Sequence, residues 1–157
     1  MKVLFICSSN VCRSPFSEFV FKRMVSNDKQ LSQKVQSVRS AAVLNKSRKL
    51  HPKAFVSLVS RGFDKKDLLA FHPSYVLTDR RLFEEADIIV GMAKVHKFLL
   101  PCKYKSKFRL LSSVAGQGEK SIPDPFLKKS QADYEQVMDV LEAYLKSFAQ
   151  RIVLNEE

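Results

Sequence analysis

An apolar run, Val3 to Ile6, stops on a cysteine, and the segment Cys7-Ser8-Ser9-Asn10-Val11-Cys12-Arg13-Ser14 then leads directly into Pro15. The apolar run is too short for a helix and reads as a buried strand, while Ser14-Pro15 reads as the opening turn of a helix. The chain must therefore pass from strand to helix through one short loop, which points to a sheet flanked by helices. Five residues separate the thiol of Cys7 from the guanidinium of Arg13. That spacing lets the loop curl with successive N–H groups turned inward above the positive end of the helix dipole, a cradle for an oxyanion. The same field is expected to lower the pKa of Cys7 and leave it a thiolate. Arg13 offers a planar fork of donors matched to two phosphate oxygens. The plain alternative is a buried cysteine beside a surface arginine.

Further along the chain, Val35 to Ser40 alternates with period two and predicts a second strand, reached after a polar stretch from Ser26 to Lys34. Pro52 to Ser60 has helical spacing, with Gly62 placed to end it. Asp87 to Met92 predicts a third strand buried on both faces. Ala93 to Leu100 predicts a short helix stopped by Pro101. Phe108 to Leu111 predicts a fourth strand, followed by a loop from Ser112 to Lys120. From Ser130, with Asp133 as a capping partner, one apolar stripe runs to Ile152 and predicts a long closing helix. The expected fold is α/β, a four-stranded parallel sheet with helices on both faces and a phosphate-binding loop after the first strand. Sites in such sheets lie at the carboxyl ends of the strands. Cys7, Ser40, Met92 and the loop after Leu111 all fall there.

The 157 residues are 45% hydrophobic, enough for one domain over 1–157 without staples. Three cysteines, two of them in the loop, make a poor disulfide framework, so a reducing compartment and a cytoplasmic location are expected. Non-classical secretion would leave no mark. Five apolar residues after Lys2 are too few for a signal-peptide core or a membrane span. The net charge of +11 is spread along the chain, which points to a solvated basic surface that steers anions and not to a nucleic-acid partner. No membrane partner is expected, and the chain reads as a monomer or weak self-associator. His51, His72 and His96 lack ligand spacing and the cysteines form no paired motifs, so no metal is expected. No glycine-rich nucleotide string appears either, and no cofactor is expected.

A thiolate facing a phosphate can attack phosphorus and expel an oxygen leaving group, provided a carboxylic acid protonates that oxygen and later activates water. Asp124, held between Pro123 and Pro125, is the best candidate acid; a turn-forming Asp is the plain alternative. Asp64, Asp79 and Asp87 are weaker ones.

Taken together, CSSNVCRSP, Ser40-Ala41-Ala42 at the second strand, His72 before the third strand and Asp124-Pro125 before the last helix resemble the low-molecular-weight protein tyrosine phosphatases over nearly the whole chain. The resemblance implies a metal-independent phosphotyrosine phosphatase with Cys7 as nucleophile, Arg13 as phosphate clamp and Asp124 as general acid then base. Its substrates would be phosphotyrosine-containing proteins, and the loop Ser8, Ser9, Asn10, Val11, Cys12, Arg13 and Ser14 would bind the phosphoryl group, inorganic phosphate and other oxyanions. Asn10, Ser14, Ser40 and His72 would form the supporting hydrogen-bond network, with Ser14 stabilising the Cys7 thiolate. Cys12 would be a redox partner that shields Cys7 from over-oxidation; the plain alternative is a small apolar filler. In the related arginine phosphatases the position of Val11 is typically Thr, so Val11 argues for tyrosine.

The chain departs from that pattern around the cleft. Ala42 stands where Gly is usual, and Asn45-Lys46-Ser47-Arg48-Lys49 replaces an aromatic wall. Phe126-Leu127 follows the acid in place of tyrosines. Phe126 is expected to flank a phenyl ring as the remaining cleft wall, and the added cations predict a preference for acidic flanking residues. Competing functions are arsenate reduction, for which Cys102 alone supplies too few thiols, an anion-sensing module without turnover, and a cysteine-phosphorylated carrier, which has little need of Asp124.

Overall fold

The structure is a computed structural model and describes residues 1–155. In chain order it comprises β1 (Lys2–Cys7), α1 (Arg13–Asn27), α2 (Lys29–Lys34), β2 (Ser37–Ala42), α3 (Pro52–Ser60), α4 (Lys65–Ala70), α5 (Arg80–Glu85), β3 (Ile88–Gly91), α6 (Val95–Leu99), β4 (Phe108–Leu110), α7 (Leu111–Val114) and α8 (Gln131–Leu154). Short 3₁₀ turns cover Cys102–Lys107 and Pro125–Leu127.

Side chains of β1 alternate between two cores. Val3, Phe5 and Cys7 enter one cluster, whereas Leu4 and Ile6 enter the other. A strand buried on both faces belongs at the middle of a parallel sheet, and the observed order is β2-β1-β3-β4, all parallel. Cys7 stands opposite Ala42, Ile6 opposite Gly91, and Gly91 opposite Leu110, so the carboxyl ends form one edge. The ring of Phe108 crosses the face of Gly91 so closely that any Cβ there would collide with it.

The first core is closed by α1 and α8. The ring of Phe21 meets that of Phe5 edge-on at 5.5 Å and stacks on Phe148 at 5.3 Å, linking sheet, first helix and last helix. Each aromatic buried this way contributes roughly 1.5–3 kcal/mol. The second core packs Phe83 of α5 and Tyr104 of the 102–107 turn against the opposite face. Helices therefore lie on both faces of the sheet, as expected.

The closing helix starts where its cap predicts, with Ser130 Oγ accepting from the N–H of Asp133 at 3.1 Å. Gly62 follows the end of α3 at φ +84° and donates its N–H to Val59 O. The second strand lies two residues later than its alternation predicts. Val35 is consumed by the end of α2, where its N–H binds Leu31 O, and pairing begins at Ser37. The stretch read as polar connection contains α2 itself, capped by the Asp28 carboxylate on the N–H groups of Gln30 and Leu31. Helices α4 and α5 are likewise too short to show a stripe, and α7 occupies the start of the expected 112–120 loop.

Candidate active site

The loop between β1 and α1 is held from outside by its carbonyls. Cys7 O accepts from Val43 N–H, Ser8 O from Leu44 and Asn45, Val11 O from His51, and Cys12 O from Phe16, at 3.0–3.3 Å. In a trans peptide the following N–H points the opposite way, so the amides of Ser8, Ser9, Cys12 and Arg13 turn toward the hollow of the loop. That hollow opens into a cleft of about 430 Å³ lined by Cys7, Ser9, Arg13, Asn45, Asp124 and Phe126 among others.

Asn10 makes this curl possible. Its backbone is left-handed, φ +55°, and its side chain is fully buried. The amide nitrogen donates to Ser14 Oγ and to Ser40 Oγ, both at 2.8 Å, and Oδ1 accepts from Ser74 N–H at 2.9 Å. Ser14 Oγ, which accepts from Asn10, lies 2.9 Å from Cys7 Sγ, where its single proton is available to a thiolate. Ser40 in turn donates to Glu18, a carboxylate buried on α1 one turn beyond Ser14 and paired with Lys22 at 2.5 Å. The result is a continuous polar chain from the sulfur to a buried charge.

One expected member of the network is absent and an unexpected one takes part. His72 does not enter the network: it is exposed, because the segment before Pro73 runs extended with the side chain outward, and the backbone N–H of Ser74 occupies the place beside Asn10. Glu18, which sequence reasoning passed over, ends the chain instead. Its only signal was a four-residue spacing from Ser14 on the same helix face.

Arg13 is buried and reaches across to the loop after α7. Nη1 donates to Ile122 O at 2.9 Å and Nη2 lies 3.2 Å from Asp124 Oδ2, while Asp124 Oδ1 accepts from Phe126 N–H at 3.0 Å. Ile122 N–H binds Met92 O at the end of β3, and Lys53 of α3 donates to the carbonyls of Lys128 and Lys129. Thiol and guanidinium from one continuous loop thus meet a carboxylate from a distant part of the chain. Asp64 and Asp79 instead bind nearby N–H groups, and Asp87 accepts from Lys2 N–H away from the cleft.

Phe126 is exposed at the mouth of the cleft and meets His51 edge-on at 5.8 Å. On the opposite side the 44–47 segment forms the wall, with Ser9 Oγ donating to Asn45 Oδ1 at 2.6 Å. Cys12 is buried beneath the loop. Burial pushes its thiol up to about 12 against a smaller opposing influence from Tyr134. Cys7, Cys12 and Cys102 are all free thiols. Among the described residues no cluster of His, Cys, Asp or Glu is arranged to hold a metal, and no helix is long and apolar enough to cross a membrane.

A family model described as low molecular weight phosphotyrosine protein phosphatase matches residues 2–157. A protein-arginine-phosphatase of Bacillus subtilis is 30% identical over 97% of both chains. The low molecular weight protein-tyrosine-phosphatase PtpB of Staphylococcus epidermidis is 31% identical over 80% of this chain and 81% of its own. Among solved structures, a cysteine-to-serine mutant of YwlE arginine phosphatase with a phosphorylated active-site serine superposes with a TM-score of 0.82, at 28% identity, over 96% of this chain and 95% of that one.

Proposed function

The chain belongs to the low molecular weight phosphotyrosine protein phosphatase family, and on that premise we propose that it hydrolyses phosphotyrosine in proteins, without a metal, through a phosphocysteine. Cys7 attacks phosphorus as the thiolate. The S–P bond forms as the P–O bond to the phenol breaks, and Asp124 gives its proton to the departing oxygen. Asp124, now a carboxylate, takes a proton from the water that attacks the phosphocysteine; the S–P bond breaks and inorganic phosphate leaves. Arg13 and the inward amides carry the charge on the phosphoryl oxygens throughout. Asn10, Ser14, Ser40 and Glu18 hold the loop in its curled form, and Cys12 is the redox partner of Cys7.

The observation that carries this reading is the convergence of Cys7, Arg13 and Asp124 on one cleft, with the Ser14 hydroxyl 2.9 Å from the sulfur. A covalent route gains support from the phosphorylated serine of the YwlE mutant. Replacement of Cys7 by Ser tests it: the variant is expected to lose hydrolysis of p-nitrophenyl phosphate, and retained turnover would remove the mechanism.

The likeness to a protein-arginine-phosphatase over 97% of both chains favours a second reading, phosphoarginine as substrate. Two features support tyrosine. Val11 stands where the resemblance places Thr in arginine phosphatases, and the exposed ring of Phe126 lines the cleft where a phenyl group would lie. Comparison of kcat/KM on matched phosphotyrosine and phosphoarginine peptides decides between them, and Val11→Thr is expected to move the ratio toward arginine.

A further inference from the structure

His96 of α6 is wholly buried just beyond the carboxyl end of β3, and its ring makes two polar contacts. Nδ1 accepts the N–H of Ala93 at 3.1 Å, and Nε2 lies 3.3 Å from Ser8 Oγ. A ring nitrogen that accepts carries no proton, so the neutral imidazole holds its proton on Nε2. Nε2–H therefore donates, and the Ser8 oxygen accepts. A hydroxyl has a single proton, and that of Ser8 is left to point elsewhere. Ser8 lines the cleft next to the nucleophile, and among the described residues no carbonyl or side chain accepts from its Oγ.

We propose that His96 is a positioning residue that keeps the Ser8 hydroxyl with its proton turned into the oxyanion hollow, adding one side-chain donor to the backbone amides of the loop. The inference rests on the reading of the hollow as a phosphate-ester site. That orientation of the Ser8 hydroxyl requires a neutral ring. Burial disfavours the imidazolium, and the nearby Arg13 cation disfavours it further, against a weaker opposing influence from Asp124; together they push His96 down to about 4. Protonation of Nδ1 would set two donors, the ring and Ala93 N–H, against each other and break the turn that carries the imidazole.

The test is a double-mutant cycle of Ser8→Ala and His96→Phe, read as kcat/KM for p-nitrophenyl phosphate and as Kd for orthovanadate. Loss of one hydrogen bond to a charged group predicts a fall of about tenfold or more for Ser8→Ala in both quantities. His96→Phe is expected to fall by a similar factor, and the double variant no further than either single one. His96→Gln, whose amide N–H reaches the place of Nε2–H, is expected to recover part of the loss, but only where Ser8 is present. Losses that multiply, or Gln rescue in the Ser8→Ala background, overturn the proposal while the wild type stays active. Should His96→Phe fail to fold, Ser8→Ala decides alone: unchanged vanadate affinity overturns the proposal. A wild type that neither hydrolyses the ester nor binds vanadate removes the proposed function itself.

Discussion

Arg13 binds the backbone of the acid loop at Ile122 and the carboxylate of Asp124 with two nitrogens of the same guanidinium. In the proposed mechanism the group that grips phosphate is therefore also the group that sets the height of the acid above it. In that mechanism a phosphoryl dianion entering the loop would compete with Asp124 for Nη2 and turn the carboxyl group toward the outer, leaving-group side of the cleft. Lys in place of Arg13 has no fork with which to meet both partners.

Asp124→Ala is expected to reduce turnover of esters with poor leaving groups by about 10²–10⁴-fold, the usual contribution of a positioned acid. Aryl phosphates whose phenols leave readily are expected to lose far less. A series of substituted phenyl phosphates measures the slope, and an equal loss across the series contradicts the role of the acid.

Asn10 separates two effects that one substitution would confuse. Asn10→Gly keeps the left-handed backbone but removes the amide, leaving Ser14, Ser40 and the Ser74 N–H short of a partner, at about 1–3 kcal/mol for each buried group left unsatisfied. Asn10→Ala adds about 1–2 kcal/mol of backbone strain to that. Urea denaturation should rank the proteins wild type, Gly, Ala in falling stability, with both variants impaired in catalysis. An Ala variant as stable as the Gly one would show that the positive φ costs nothing.

The buried neutral ring of His96 makes stability depend on acid. Its folded value is about 4 against an ordinary 6.5, so between the two the unfolded chain binds more protons than the native state. This contribution is fully present above 6.5 and declines as pH falls through 4, by at most about 1.4 kcal/mol per pH unit. Urea midpoints at about pH 7 and about pH 4.5 are expected to differ less in His96→Gln than in the wild type. Equal differences would place the protonation elsewhere.

Residues 44–53, 93–97 and 121–129 surround the cleft and carry eight lysines and arginines with a single acid, Asp124. Phosphopeptides with Glu or Asp beside the phosphorylated residue are expected to turn over faster than neutral ones at about 0.05 M salt, and the advantage should shrink at about 0.5 M as the screening length contracts. p-Nitrophenyl phosphate, which has no flanks, serves as the reference. No acidic preference at low salt would assign those cations to the solvated surface alone.

The parts of the site written into one continuous segment were readable in advance. The curled loop, the strand before it and the helix after it follow from Cys7 to Pro15, and Asp124 from the prolines around it. Contacts between segments were less so. Whether His72 or its neighbours would face Asn10 depends on how the chain before Pro73 crosses the sheet edge, and local pattern carries no information about that. Glu18 drew no reading and His96 only one of missing ligand spacing, since what distinguishes them is burial against other elements. Helices α2 and α4 depend on the caps of Asp28 and Asp64 more than on an apolar stripe, which hid them in polar stretches.

Much of the acid loop's tethering runs through its own main chain: Arg13 to Ile122 O, Ile122 N–H to Met92 O, and Lys53 to the carbonyls of Lys128 and Lys129. Attachments of that kind are indifferent to side-chain identity. Positions 127–129 are thus at liberty to diversify in evolution, retuning which targets the cleft admits while Asp124 keeps its station.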